Sequence, residues 1–282
     1  MLQLRDKRRH RNWGRPEPWA GPVEGAIKHS RQVTDRPQYT DWPNEIPDEQ
    51  WEMYQRVLSE ASRREVPFAL GGAFALATYT GRWRNTKDLD LYVAPESRDS
   101  LVRVLADLGL EDYYEELPYD RQWIYRSHRQ GTIVDVIWAM ANQRAQVDEA
   151  WLVRGPEADV RGQRVRVVPP EEMIWSKLYV LQRDRCDLPD VLNLIYATGP
   201  SLDWDRLLDR LGDDWPLLTG VLSVFQWMCP GRARELPRKV WRKLQLPRHV
   251  EEEGPITNRR RVELLDRRPW FMFAHDPEVS AA

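Results

Sequence analysis

The spacing of apolar residues divides the chain into stretches of different character. Residues 1–46 are rich in Pro, Arg and Trp and show no periodic pattern. From Pro47 onward apolar residues recur with the period of a helix, and Pro47 followed by Asp48 is typical of a helix start. The apolar stripe consists of Trp51, Tyr54, Val57, Leu58 and Ala61. This pattern predicts a first helix with one buried face.

Between residues 66 and 168 the pattern predicts strands that alternate with helices. An apolar run over 66–70 predicts a strand that leads into the Gly71-Gly72 turn. Residues 88–93 alternate between polar and apolar with a period of two, which also predicts a strand. The other predicted elements are helices over 73–79 and 100–108, strands over 122–127 and 132–138 joined by a turn around Gly131, and a short strand over 164–168.

After Pro169-Pro170 only helical patterns follow. A first stripe contains Met173, Ile174, Lys177, Leu178 and Leu181, and further helices are predicted over 188–196, 203–211, 215–228 and 236–246. We therefore predict an α/β (α+β) fold, in which a mixed sheet with helices is followed by a C-terminal helical domain. The predicted regions are a basic Pro/Trp-rich arm (1–46), an α/β domain (47–168), a helical domain (169–247) and a tail (248–282), in which Trp270, Phe271 and Phe273 form a predicted docking point.

Composition narrows the class of protein. Apolar residues make up 41% of the 282 residues and charged residues 30%, which is typical of a globular protein, and the net charge of −2 gives no global attraction to nucleic acid or membrane. Cys186 and Cys229 have no metal-type spacing, so a disulfide framework and a zinc site are not expected. Without a signal-like start or a run of about 20 apolar residues, we expect a cytoplasmic protein with no membrane segment.

The first 36 residues contain nine Lys and Arg against four acids. Such an arm is usually solvated and partly disordered, but it would also suit contact with nucleic-acid phosphates. Composition leaves both interpretations open.

The strongest chemical signal is the pair Asp88 and Asp90. Residues at i and i+2 of a strand point to the same face, so the two carboxylates lie together. Hard divalent cations such as Mg²⁺ prefer oxygen ligands, and two carboxylates this close repel each other unless a cation lies between them. A lone Asp-x-Asp is more often a harmless strand edge, so the neighbouring residues decide its meaning.

Residues near this pair favour a phosphate ligand. Gly71-Gly72 at a strand-to-helix turn lets backbone N–H groups approach a phosphate at the start of a helix, although a bare Gly-Gly is usually only a turn. Arg84, Thr86 and Lys87 add cationic and hydroxyl groups beside the carboxylates, although such residues are common on surfaces.

Asp135 lies within a strand of apolar residues, where an acid is costly to bury. The cost is explained if this strand lies beside the Asp88 strand and Asp135 completes a metal site, from which it would assist deprotonation of an acceptor. The alternative is a strand-edge acid that pairs with an arginine.

Together, Gly71-Gly72, Thr86-x-Asp88-x-Asp90 and an isolated Asp135 in a strand resemble the DNA polymerase β-type nucleotidyltransferase superfamily. Within it, the chain looks most like small bacterial enzymes that include antibiotic nucleotidyltransferases and the nucleotidyltransferase toxins of abortive-infection systems. The resemblance covers about residues 48–245 and extends to the K-x5-R-x3-D-x2-D series formed by Lys177, Arg183, Asp187 and Asp190.

The resemblance implies one or two Mg²⁺ ions, or Mn²⁺, on Asp88, Asp90 and Asp135. It also implies a nucleoside triphosphate near Gly71, Gly72, Arg84, Thr86, Lys87, Lys177 and Asp187. For Lys177 the ordinary alternative is a side chain that only carries its charge to solvent, and for Arg183, Asp187 and Asp190 it is an ion network. Trp83 stands where the toxins often have a histidine, and Lys87 stands where the lincosamide-modifying enzymes have one. The resemblance therefore does not imply the substrate of either sub-branch.

The predicted reaction is transfer of a nucleoside monophosphate to a hydroxyl of RNA or tRNA, a protein or a small molecule, with release of pyrophosphate. The basic arm favours a nucleic-acid or protein acceptor. Two alternatives stay open at this point. In the first, the chain is a toxin that uses the same chemistry and is held by an antitoxin partner. In the second, it is an inactive nucleotide-binding module of the same fold.

Overall fold

The computed structural model describes residues 46–83, 86–248 and 255–265. In chain order, its strands are β1 (Ala69–Leu70), β2 (Asp88–Tyr92), β3 (Glu111–Asp112), β4 (Ile124–Arg129), β5 (Thr132–Ile137), β6 (Glu157–Val160) and β7 (Gln163–Arg166). Its α-helices are α1 (Asp48–Arg63), α2 (Gly72–Thr80), α3 (Arg98–Asp107), α4 (Glu149–Val153), α5 (Pro170–Leu178), α6 (Leu188–Thr198), α7 (Trp204–Leu211), α8 (Trp215–Met228), α9 (Pro230–Ala233), α10 (Arg238–Lys243) and α11 (Pro255–Leu265).

Five strands form a mixed sheet in the order β1-β2-β5-β4-β3. Strands β2 and β5 run parallel, while the β1–β2, β5–β4 and β4–β3 pairs are antiparallel. The β4–β5 hairpin turns at Gln130 and Gly131, which both have positive φ, as a tight two-residue hairpin requires. Strands β6 and β7 form a separate two-stranded sheet. The mixed sheet with its helices confirms the predicted α/β fold class.

Helix α1 buries the residues that its periodicity selects, namely Trp51, Tyr54, Val57, Leu58 and Ala61. It packs against α3, and both helices contact β5. In the second half of the chain α5 packs against α6 and α7, and α6 also packs against α2. The buried apolar side chains of both halves belong to one hydrophobic cluster, and the division into domains at residue 169 stays a prediction.

Several predicted boundaries were wrong. Of the run over 66–70 only Ala69–Leu70 is a strand, because Pro67 has no N–H to donate to a ladder. Helix α5 ends at Leu178, and Leu181, predicted to continue its apolar stripe, is 55% exposed. It lies in a turn in which the N–H of Gln182 donates to the carbonyl oxygen of Arg185 at 2.8 Å.

The tail over 248–282, for which no helix was predicted, contains helix α11, which begins at a proline as helices often do. Residues 1–45 of the basic arm, the 270–273 aromatic group and Arg84 lie outside the described residues. Within the described part of the chain, no helix combines the length and apolar character needed to span a bilayer.

Candidate functional site

Three acidic side chains converge on one face of the mixed sheet. Asp88 and Asp90 lie two residues apart on β2, and Asp90 is the direct neighbour of Asp135 on β5. One carboxylate oxygen from each residue lies within 4.8 Å of the other two. Asp135 is buried, whereas Asp88 and Asp90 are half-buried. The structure therefore brings together the three acids selected from the sequence, and their role as metal ligands stays a prediction.

The apolar positions of β2 and β5 determine which face the acids occupy. Leu89, Leu91, Val134 and Val136 alternate with the acids, and all four are fully buried in the hydrophobic cluster. A slip of one residue in register would put these four side chains on the opposite face and the acids into the core. Burial of the apolar set thus fixes the direction in which the carboxylates point.

The Gly71-Gly72 turn packs directly against the acids. The N–H of Gly71 donates to the carbonyl oxygen of Asp90 at 2.9 Å. Gly72 has a φ of +55°, and a Cβ there would lie 1.8 Å from Oδ2 of Asp90, while a Cβ on Gly71 would lie 2.2 Å from the ring of Tyr92. Both positions therefore require glycine, and helix α2 begins beside the Asp90 carboxylate.

The crowding of negative charge shows in the pKa values. Burial, followed by the charges of Asp88 and Asp135, raises the pKa of Asp90 to about 8, while Lys177 and Arg126 oppose this shift. Burial also raises the pKa of Asp135, against the hydrogen bonds and charge of Arg126. The shifts have the sign expected for carboxylates that lack enough positive charge around them, so the set favours an added cation.

Arg126 on β4 is a site residue that sequence reasoning did not name. It lies directly opposite Asp135, and its Nε donates to Oδ1 of Asp135 at 2.8 Å while its Nη2 donates to Oδ2 at 2.5 Å. The same Nη2 lies 3.4 Å from Oδ2 of Asp88. Asp135 therefore has the arginine partner that the alternative interpretation predicted, and it also converges with the other two acids. The hairpin turn at Gly131 was the sequence signal that could have identified Arg126.

The two residues just before β2 differ in their contact with the acids. The hydroxyl of Thr86 donates to Oδ1 of Asp88 at 2.5 Å, which holds that carboxylate in place. The side chain of Lys87 is exposed, and its carbonyl oxygen accepts a long hydrogen bond of 3.5 Å from the hydroxyl of Tyr54. Thr86 therefore supports the acids directly, whereas no contact ties the ammonium group of Lys87 to them.

Lys177 on α5 forms a nearly buried ion cluster with two acids of the next helical segment. Its Nζ donates to Asp187 at 2.7 Å and to Asp190 at 2.8 Å, and its side chain is only 12% exposed. It does not carry its charge out to bulk solvent, and that charge opposes the upward shift of the pKa of Asp90.

Arg183 is exposed in the turn that precedes α6, whereas Arg185, which the sequence did not single out, lies 3.3 Å from Asp187. The contact between Arg185 and Asp187 depends on the path of the turn, which the apolar pattern does not reveal.

The model of a family described as uncharacterised nucleotidyltransferases matches residues 51–224. The chain belongs to this nucleotidyltransferase family. The matched region contains the three acids, Lys177 and Asp187, while α11 lies outside it. Among curated proteins, none matches the sequence of the chain.

Several solved structures are similar to this family member. The antibiotic-resistance factor ANT(2'')-Ia aligns with a TM-score of 0.45 and 21% identity over 62% of this chain and 95% of its own. The lincosamide antibiotic adenylyltransferase LnuA, solved with lincomycin, aligns with a TM-score of 0.37 and 16% identity over 51% and 94%. An antigenic nucleotidyltransferase-like protein from Paracoccidioides brasiliensis aligns with a TM-score of 0.37 and 20% identity over 63% and 94%.

Proposed function

We propose that this chain is a magnesium-dependent nucleotidyltransferase that transfers a nucleoside monophosphate from a nucleoside triphosphate to a hydroxyl acceptor and releases pyrophosphate. The observation that carries the proposal is the convergence of Asp88, Asp90 and Asp135 within 4.8 Å in a chain of this family. The acceptor is a hydroxyl of RNA, a protein or a small molecule, and transfer of a labelled nucleotide distinguishes these classes.

The donor set fits a hard divalent cation. All three candidate ligands are carboxylates, the ligand type that Mg²⁺ and Mn²⁺ prefer. The absence of a side chain on Gly72 leaves room for the Asp90 carboxylate, since a Cβ at this position would lie 1.8 Å from its Oδ2. Asp88, Asp90 and Asp135 would hold one or two ions, which when bound supply Lewis-acid polarisation of the α-phosphate and charge stabilisation.

The triphosphate would lie at the amino end of α2. The first N–H groups of a helix have no partner within it, and the helix dipole favours an anion there. Lys177, whose charge already acts on Asp90, supplies a cation on the side of the helical segment. These groups would orient the α-phosphate toward the acids and hold the pyrophosphate as it leaves.

Asp135 would accept the proton of the acceptor hydroxyl. As that O–H bond breaks, the acceptor oxygen forms a bond to the α-phosphorus, and the bond from this phosphorus to the bridging oxygen of pyrophosphate breaks. Arg126 donates to both oxygens of Asp135 and stabilises the ionised carboxylate that must accept the proton. Burial of Asp135 keeps bulk water away from the proton acceptor.

The test is transfer of label from each of the four α-³²P nucleoside triphosphates in the presence of Mg²⁺. Total RNA, cell extract and small hydroxylated compounds are offered as separate acceptors. We expect one acceptor class to become labelled by the wild-type protein. Loss of an outer-shell partner of a metal site costs about 10- to 100-fold, so D88N and D90N, which alter ligands, should lose more than about 100-fold.

Asp99→Asn is the matched control, because Asp99 is an exposed aspartate on α3 whose carboxylate pairs with the neighbouring Arg98. D99N should transfer label like the wild type. Equal transfer by D88N and D90N would refute the proposal. Calorimetric binding of intact nucleotide without transfer to any acceptor would instead identify an inactive nucleotide-binding module.

A further inference from the structure

The guanidinium of Arg126 occupies a position where a cation is needed. It engages both oxygens of Asp135 and lies 3.4 Å from Asp88, so it touches two of the three converging acids. The side chain of Asp135 is only 1% exposed, whereas those of Arg126 and Asp88 are 27% and 29% exposed. Arg126 thus reaches the acids from the open side of the site.

The formal charge of the three carboxylates is reduced by Arg126 but not balanced. When all three acids are ionised, as metal ligands must be, three carboxylates and one arginine leave two negative charges in a small volume, which matches the charge of one divalent ion. A guanidinium and a divalent ion that share the same carboxylates repel each other, and the repulsion is strong in a partly buried site. Arg126 and the ion should therefore oppose each other in binding to the acids.

Two observations argue that Arg126 is not needed to aim Asp135. The carboxylate is buried, and its strand is fixed by pairing with both β2 and β4, so its direction is already determined by packing. Removal of Arg126 should therefore cost little orientation but leave negative charge uncompensated. The charge of Arg126, more than its geometry, should dominate its effect on metal affinity.

We propose that Arg126 acts as an internal counter-ion: in the metal-free protein it bridges Asp135 and Asp88 and offsets the charge of the acidic site, and it thereby lowers the affinity of the three acids for the divalent ion. The proposal rests on the proposed function, since it takes the three acids as the metal site. An ordinary outer-shell partner would act in the opposite sense, because its loss weakens metal binding. The sign of the change in affinity separates the two roles.

The test compares Arg126→Gln, Arg126→Lys and the control Arg129→Gln without nucleotide at one pH. Arg129 lies on the same strand, but it is exposed and donates to the carbonyl oxygen of Leu108. Thermal unfolding is measured in EDTA and in Mn²⁺, and the Kd for Mn²⁺ is measured from the electron paramagnetic resonance signal of the free ion.

We expect R126Q to unfold at a lower temperature than R129Q in EDTA, to recover most of this loss in saturating Mn²⁺, and to bind Mn²⁺ at least about tenfold more tightly than the wild type. R126K keeps the charge, so its affinity should stay within about threefold of the wild-type value. If R126Q does not fold in EDTA, R126K still decides, since tenfold tighter binding by R126K would overturn the counter-ion role.

Unchanged or weaker Mn²⁺ binding by R126Q would also overturn the proposal, even in an active enzyme. Failure of the proposed function looks different, because the wild-type protein would then bind no Mn²⁺ and transfer no label. If R126Q then binds no Mn²⁺ either, both the proposed function and the counter-ion role are refuted.

Discussion

At the scale of single residues, Asp90 shows how the site stores unfavourable electrostatic energy. Its pKa is raised from 3.8 to about 8 by burial and by its two acidic neighbours. The native metal-free protein therefore keeps a proton on Asp90 at pH values where the unfolded chain has released it. Stability should fall as the pH rises from about 4 to about 8, because the unfolded state binds fewer protons over this range.

Replacement of Asp90 by Asn removes this titration while keeping the shape of the side chain. In EDTA, D90N should have a higher Tm than the wild type, and the difference should grow between pH 5 and pH 8 to roughly 5 °C. Thermal unfolding followed by circular dichroism measures it. Saturating Mg²⁺ should raise the Tm of the wild type and leave D90N almost unchanged. A constant difference across the pH range would contradict the assignment of the raised pKa to Asp90.

Individual site residues differ in how well the sequence predicts them. Asp88, Asp90 and Asp135 could be predicted because the sequence shows the period of a strand for the first two and an acid among apolar strand residues for the third. Arg126 required the hairpin register, in which a two-residue turn at Gln130-Gly131 pairs position 126 with position 135. Such a register follows from a correctly placed turn. The predicted strand over 122–127 ended before Arg129, however, so the pairing of Arg126 with Asp135 was not predicted.

At the scale of elements, the segment between α5 and α6 brings a second set of charges toward the acids. Lys177 at the end of α5 is clamped by Asp187 and Asp190 at the start of α6. Arg185, in the turn between these helices, contacts Asp187 and interacts electrostatically with Asp90 and Tyr92. Its side chain is 64% exposed, so it can turn toward a bound triphosphate.

We predict that Arg185, and not Arg183, contributes to nucleotide binding. Loss of a charge-assisted hydrogen bond to phosphate should raise the KM for the nucleoside triphosphate about tenfold in R185A, with kcat little changed. R183A is the matched control, since Arg183 lies in the same turn and is exposed, and its KM should stay within about twofold of the wild-type value. Steady-state kinetics with the acceptor identified by label transfer provides the measurement, and equal KM values for both variants would exclude the role of Arg185.

The same segment explains which element boundaries the sequence predicts and which it does not. The helix over 215–228 was predicted with the bounds observed for α8, because its ends are marked by Asp214-Trp215-Pro216 and by Cys229-Pro230. Leu181 was assigned to a helix by its spacing, but α5 ends at Leu178 because the chain turns there to bring Asp187 to Lys177. Short elements such as β3 and β6 depend on tertiary pairing, which leaves little local signal in two to four residues.

At the scale of the whole molecule, one buried ion cluster joins the α/β half to the helical half. Glu172 on α5 is fully buried and accepts hydrogen bonds from Arg206 and Arg210 of α7. Arg210 also pairs with Asp148, which caps α4. The link supplements the single apolar cluster that both halves share. Together they place the Lys177 end of α5 at a fixed position relative to the sheet.

The cost of breaking this cluster tests whether the two halves unfold together. Glu172→Gln keeps the volume but removes the carboxylate charge that Arg206 and Arg210 share and leaves only Arg210 paired with Asp148, so the free energy of unfolding in urea should fall by about 3 kcal/mol. Asp205→Asn is the control, because Asp205 pairs with Lys239 and Lys243 at the exposed surface, where screening leaves such pairs little net effect. Fluorescence should show a single transition for both variants. Two transitions in E172Q would mean that the cluster, and not the shared apolar core, couples the halves. Equal free energies of unfolding for the two variants would show that the buried ion pair contributes no more to stability than a surface one.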